Sequence, residues 1–504
     1  MTEPTQLRGG MSHRQVLEAM SGLLLGMFVA ILSSTVVSTA LPVIVADLGG
    51  SQASYTWVVT STLVALTVST PIWGKLADLF DRKLLIQTGL VMFVVGSMLA
   101  GLSQSMGWLI ACRVLQGLGA GGLTALVQVV LSDLVSPRER GRYAGYLGAV
   151  FGVGTVAGPL LGGVITDSLS WRWCFYVAVP FALAALVVLQ RTLKLPRRRR
   201  EVRMDYAGMA LIAAGVSSLL VWVSLAGQSY AWLSWETAAL LTLGAALIVA
   251  AVAVERRAAE PIVPLRLFGN RTVVLAVIAS VAVGIAMFGT TVFLSQYMQI
   301  ARGKSPTESG LLTIPMVVGL FVASTLVGRL VSKTGRYKRW MVGGAVSLTV
   351  GLLLMSTLDE TTSLVELAAF MVLVGAGIGS MMQNLVLVTQ NTVAQRDMGS
   401  GSSLIAFFRS LGGAVGVAAL GAVLAAKVAS DLNVPATGDT VPDVSTLPPA
   451  VAHVVEHAYG SGIAEIFLFA APLGLVALVA LLLIREVPLG HKSGIELATE
   501  KAAA

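Results

Sequence analysis

"GKLADLFDRK", residues Gly74 to Lys83, sets five charged side chains in ten positions. They are Lys75, Asp78, Asp81, Arg82 and Lys83, in a chain of which only 12% is charged. The stretch follows the apolar run "YTWVVTSTLVALTVSTPIW" (55–73) and precedes a second apolar run, 84–102. A hydrocarbon core about 30 Å thick is crossed by roughly 20 apolar residues in a helix. Two such runs around a short charged hinge read as a helical hairpin in a bilayer, its charges held at the water on one side.

The rest of the chain repeats that pattern. It has 504 residues, 56% of them apolar, and a mean hydropathy of +0.83. A soluble domain carries about 25% charged residues, so this composition cannot cover a globule with polar surface. An all-α polytopic membrane protein follows. Fourteen spans are expected: 17–43, 54–74, 84–103, 107–134, 142–166, 172–193, 206–226, 234–255, 272–299, 308–331, 340–358, 364–391, 401–427 and 463–484. Several exceed 25 residues, which implies tilt or extension beyond the lipid. The N-terminus does not read as a cleaved signal, because its first apolar run is too long.

Charge sets the expected orientation. With the N-terminus in the cytoplasm and strict alternation, almost every basic residue falls on the cytoplasmic side, as the positive-inside rule requires. The run "RTLKLPRRRREVR" (191–203) is the densest example. Outside there remain Arg172, Arg302, Lys304 and Lys427, and Arg113 and Arg409 lie within spans. The net charge of +8 therefore reports topology and headgroup contact, and nucleic acid is excluded as a partner. Cys112 and Cys174 read as free buried thiols. All four histidines (His13, His453, His457, His491) are expected outside the spans, and no metal cluster is seen. The acidic, Pro-rich outside loop 428–462 is expected to be irregular.

Internal repeats divide the chain. Gly74-Lys-Leu with Arg82 recurs as Gly328-Arg-Leu with Arg336, and Gly158 and Gly162 recur at the same spacing as Gly412 and Gly416. "GLGAG" (117–121) is echoed by "GAGIG" (375–379). The expected plan is an N-tail 1–15, a six-helix half 16–194, a basic linker with two inserted helices 195–271, a second six-helix half 272–485, and a C-tail 486–504. Parallel halves of this kind are a known transporter plan.

Four motifs now carry a resemblance. "GKLADLFDRK" resembles the loop 2–3 signature of the major facilitator superfamily. "RVLQGLGAGG" (113–122) resembles its fourth-helix motif, with Arg113, Gln116, Gly117 and Gly121. "GVGTVAGPLLGG" (152–163), with Gly154, Gly158, Pro159 and Gly162, resembles the fifth-helix antiporter motif typical of exporters. "TVVSTALP" (35–42) resembles the first-helix motif of the fourteen-helix drug:proton antiporter branch. The resemblance implies a multidrug efflux transporter in a bacterial plasma membrane, monomeric, with both termini cytoplasmic and no cofactor. Its partners would be protons, the lipid bilayer and a small amphipathic substrate.

The resemblance also assigns roles. Gly74 would allow close helix approach, Asp78 would meet a helix N-terminus of the other half, and Arg82 would reach Asp133. Such contacts form in one arrangement of the halves and break in the other, a latch for alternating access. The fifth helix would seal against its partner in the second half. Polar and aromatic residues in the spans are expected on the cavity wall: Ser33, Trp57, Gln116, Phe293, Tyr297, Gln383, Asn384, Phe408 and Arg409. One residue departs from the branch. Its usual first-helix aspartate is Ser33 here, and no Asp or Glu stands near a midplane, which leaves Asp133, Glu366 and Glu465 as candidate proton carriers. With Arg113 and Arg409 buried, the cavity reads as net positive and suited to neutral, zwitterionic or anionic amphiphiles. The rival readings are a lipid or metabolite exporter or facilitator, and a non-transporting receptor or scaffold on the same fold. No catalytic constellation or nucleotide loop points to an enzyme.

Overall fold

The computed structural model describes residues 13–50, 52–193, 205–226, 230–258, 260–432 and 449–490. In chain order the helices of the first half are α1 (His13–Asp47), α2 (Gln52–Leu79), α3 (Arg82–Gly101), α4 (Met106–Leu134), α5 (Pro137–Ser168), α6 (Trp173–Tyr176) and α7 (Ala178–Thr192). Two inserted helices follow, α8 (Tyr206–Leu225) and α9 (Trp235–Glu255). The second half holds α10 (Arg271–Gln296), α11 (Pro306–Leu312), α12 (Ile314–Thr334), α13 (Lys338–Met355), α14 (Leu364–Thr392), α15 (Met398–Leu432) and α16 (Pro449–Leu483).

Thirteen stretches among the described residues are long and apolar enough to cross a membrane. The fourteenth expected crossing falls on α13, 18 residues that open with Lys338 and Arg339. Local chemistry sets the helix ends. Asp81 accepts from Lys83 N at 2.9 Å and caps α3. Pro137 opens α5 at a position whose missing N–H costs nothing. Gly335, with φ 69°, closes α12 in a left-handed conformation that suits glycine.

The two halves use one packing scheme. In the first, α4 packs on α2 and α3, and α1 on α5 and α7; in the second, α14 packs on α12 and α13, and α10 on α15 and α16. The halves meet where α2 crosses α15 and α5 crosses α12, partners that exchange under the same pseudo-twofold. The inserted pair α8 and α9 packs on itself and docks through α8 on α2 and α15. Each half keeps its own apolar core, one around Leu90, Leu126 and Leu189, the other around Leu352, Met381 and Phe467.

Two expectations change. Loop 428–462 is helical at both ends, since α15 runs to Leu432 and α16 starts at Pro449; residues 433–448 lie outside the described residues. At 35 residues α16 is about 52 Å long, so its first turns project past a bilayer core. His453 and His457 therefore ride on a span helix, and His457 Nδ1 lies 3.1 Å from Glu360 Oε1. The basic linker 194–204 lies outside the described residues.

Candidate functional site

The end of the bundle bearing the hinge Phe80–Asp81 and the other Arg/Lys-rich connections is here the basic end; the opposite one is the far end. At the basic end, Asp78 on the last turn of α2 reaches across to the first turn of α15. Its carboxylate accepts from Gly399 N (2.8 Å), Ser400 N (2.9 Å) and Ser400 Oγ (3.0 Å). Free N–H groups and the positive end of the helix dipole make that terminus a receptor for a carboxylate. Gly74 makes the approach possible, because a Cβ there would collide with Ser403 and the Gly399 carbonyl. Arg82, buried, forms an ion pair with Asp133 and donates from Nε to Ala77 O at 3.0 Å. The structure thus brings Gly74, Asp78, Arg82 and Asp133 into one cluster.

A second connection between the halves lies beside it. Arg140 on α5 donates to Gln390 Oε1 of α14 (2.5 Å) and to Val135 O and Ser132 O (both 3.0 Å). Gln128 Nε2 donates to Gln383 Oε1 at 2.7 Å, and Gln390 Nε2 to Gln128 O at 3.2 Å and Ser402 Oγ at 2.6 Å. Gln128, Arg140, Gln383 and Gln390 line a cavity of about 20 Å³, room for one water. Gly141 and Gly328 touch backbone to backbone where α5 crosses α12. The segment after α16 ties across too: Gly490 O accepts from Arg138 N (3.3 Å), and Gly490 N donates to Asn391 Oδ1 (3.1 Å). The basic end is closed.

Toward the far end the α1 surface differs. Ser34 and Ser38, one turn apart in the middle of α1, are exposed. Lipid disfavours a polar stripe at that depth, so they mark the wall of a crevice between the halves. Ser33, expected on that wall, points the other way and is fully buried, its Oγ without a partner.

Other expected residues are redistributed. Gly154, Gly158 and Gly162 pack on Ile31, Thr35 and Thr39 of α1, inside their own half. The face of α5 that meets the second half carries Gly141, Gly145, Gly148 and Gly152 instead, with Pro159 against Gly310 of α11. Gly154, Gly158 and Gly162 therefore hold α1 and α5 together, and Gly152, Pro159 and Gly163 of the same motif face α12 and α11 of the second half. Gly117 and Gly121 let α4 lie on α2, against Thr62, Ala65 and Ser69. Phe293 and Tyr297 are buried in the core of the second half, and the Tyr297 hydroxyl donates to Asp359 O at 2.6 Å. Phe408 stacks edge-on with Phe407 and Phe268 near α8. These three do not form the crevice wall. Trp57 is half-buried in the first turns of α2. Asn384 donates to Ser380 O within its helix at 2.7 Å.

Of the carrier candidates, Glu366 is exposed and closes a capping box with Ser363 at the start of α14. Glu465 lies 3.9 Å from Lys427, which also holds Asp431. Asp133 is engaged by Arg82. Arg113 donates to Gln116 Oε1 (3.0 Å), and Gln116 to Ser97 Oγ (2.7 Å), a network inside the first half. Sequence reasoning did not find Arg140 with Gln390, nor Lys75, which is buried and bonded to Glu260 at 2.6 Å. Both partners lie far away in sequence, so no local pattern signals them.

Two pseudo-symmetric membrane bundles, clasped at one end by polar contacts between the halves, define a secondary-transporter fold. The major facilitator superfamily model matches residues 23–417, and the chain belongs to that family. It is a multi-pass membrane transporter and not an enzyme. It is 41% identical to an uncharacterized MFS-type transporter of Mycobacterium tuberculosis, over 97% of this chain and 72% of that one. It is 37% identical to the multidrug transporter protein MdtP of Bacillus subtilis (87% of this chain, 80% of that one). Multidrug resistance protein 3 of the same bacterium is 34% identical (82% and 80%). Among solved structures, the human organic anion transporter MFSD10 shares the fold with a TM-score of 0.63 at 16% identity, covering 92% of this chain and all of that one.

Proposed function

We propose that this chain is an alternating-access exporter of amphipathic compounds, drugs among them, driven by antiport with protons across a bacterial plasma membrane. The observation that carries the reading is the Asp78 clasp on the α15 N-terminus. It is strong while the carboxylate is charged and weaker once a proton removes that charge. A gate closed by charge gives a proton a way to act on the conformation without an aspartate on α1. The basic end is then cytoplasmic, the crevice opens outward, and a single chain encloses the whole path, so a monomer suffices. The bacterial relatives named multidrug transporters support export.

The test uses purified protein in liposomes under an imposed pH gradient, with internal pH and a fluorescent amphiphile recorded together. Coupled counterflow that disappears in Asp78→Ala supports the proposal. Dye equilibration that ignores the gradient overturns antiport and leaves a facilitator of lipids or metabolites, a reading favoured by Ser33 in place of the branch's aspartate.

A further inference from the structure

Three arginines buried in the described spans have acceptors. Arg82 has Asp133 and Ala77 O, Arg140 has two carbonyls and Gln390, and Arg113 has Gln116. Arg409 differs. Among the described residues its guanidinium makes no hydrogen bond and no ion pair, and its buried Nη1 is without a partner. The residue as a whole is half-buried.

Its place on α15 is fixed by its neighbours. Arg409 follows Met398 by 11 residues, about 16 Å along the axis, half-way through a hydrocarbon core about 30 Å thick. Gly412 and Gly416 on the adjacent sector pack on Val281 and Ile285 of α10, and Ser402 on the other side bonds Gln390 of α14. Arg409 lies on the same face, its own backbone against Gly284 of α10, so its side chain leaves α15 on the side of α10 and α14. Among the described residues no carboxylate is paired with it there. Of the acidic residues on the described span helices, Asp78, Asp133 and Glu255 stand within the last turn. Glu465 is 18 residues from the end of α16, about 27 Å, and is committed to Lys427.

A guanidinium left without an acceptor inside a membrane carries a free-energy cost, and a purely structural arginine would be given carbonyls, as Arg82 and Arg140 are. The geometry points to Arg409 as the recognition group for an anionic headgroup: the crevice takes amphiphiles bearing a carboxylate, sulfonate or phosphate, bound in the fork that Arg presents to such groups. The apolar body of the ligand would lie toward the crevice wall. This deepens the efflux reading and rests on it for the transport step alone.

The test pairs two dyes of one ring size and opposite charge, fluorescein (anionic) and rhodamine 6G (cationic). Binding to the full chain in lipid nanodiscs is read by fluorescence anisotropy, without any gradient. The expected result is at least tenfold tighter binding of fluorescein, lost in Arg409→Gln and largely kept in Arg409→Lys, with both variants monodisperse and melting as the wild type does. Fluorescein affinity unchanged in Arg409→Gln, or a wild-type preference for rhodamine 6G, overturns the proposal. Should Arg409→Gln fail to fold, the wild-type preference and the Arg409→Lys titration decide it. Transport in liposomes is scored separately. Charge-selective binding without transport removes the efflux reading and keeps the site; transport of both dyes with no preference removes the site and keeps efflux.

Discussion

At Asp78 one carboxylate holds two helices of different halves. Its acceptor atoms face two backbone N–H groups and a hydroxyl, and hydrogen bonds to a charged group contribute about 1.5–3 kcal/mol. In Asp78→Asn the charge is gone and an NH2 group must face a donor, so the closed state loses roughly ten- to hundredfold in population. A cysteine placed at Ser403, buried beneath the clasp, should become reactive toward maleimide from the basic end in that variant and stay inert otherwise. A second residue acts outside the membrane. The Trp171 indole (2.8 Å) and the Arg172 guanidinium (3.2 Å) bind Asp47 and hold its carboxyl below the usual range. A depressed folded-state value means that the stabilisation is complete above the unfolded carboxylate pKa, about 4. It fades as pH falls through the lower folded value. The melting-temperature gap between wild type and Asp47→Asn should therefore be constant at neutral pH and close in acid; a gap independent of pH refutes the linkage.

Between elements, the distinction that matters is which face of a helix the glycines occupy. The small-residue motif of α5 is plain in sequence, but its partner is not. Gly154, Gly158 and Gly162 recur every four residues and fall on α1, and the cross-half contact uses the face of Gly141, Gly145 and Gly148. Spacing reveals a face and leaves open what covers it. For the same reason the loop motif disclosed Asp78, Arg82 and Asp133, which share a family pattern. Arg140 with Gln390 and Lys75 with Glu260 stayed hidden because each pair joins distant segments. Spans were legible because bilayer thickness dictates their length, and the α16 extension was not, because it leaves the bilayer. The Lys75–Glu260 bond has a consequence of its own. Glu260 belongs to the segment that leads from α9 toward α10, and the neighbouring Glu255 accepts from Ile262 N (3.0 Å) and Val263 N (3.2 Å). The inserted helices are thereby fastened to the turn of α2 that carries the clasp. Glu260→Gln should leave folding intact and slow transport several-fold, with the dye's apparent affinity unchanged, because it alters the gate and not the crevice. A changed affinity with normal turnover would contradict this.

For the whole molecule, every polar link named between the halves lies at the basic end: Asp78 with α15, Arg140 with Gln390, Gln128 with Gln383, and Gly490 with Arg138 and Asn391. Export needs all of these to break together, or the halves cannot rock apart at that end. Freezing one should therefore stop the cycle in the state described. Gln128 and Gln383 meet side chain to side chain, and the native thiols Cys112 and Cys174 are buried and free, so both can be replaced by alanine first. In that background Gln128→Cys with Gln383→Cys should cross-link under oxidation and abolish dye transport, and a reductant should restore it. Ser34, exposed on α1, supplies the second readout. As Ser34→Cys it should label with a membrane-impermeant maleimide from the far end, and equally well before and after cross-linking. If the cross-link forms and transport continues, the halves do not separate there and the gate lies elsewhere. If it stops transport but shields Ser34→Cys, the closed basic end is an occluded state and the crevice opens to the far end only later in the cycle.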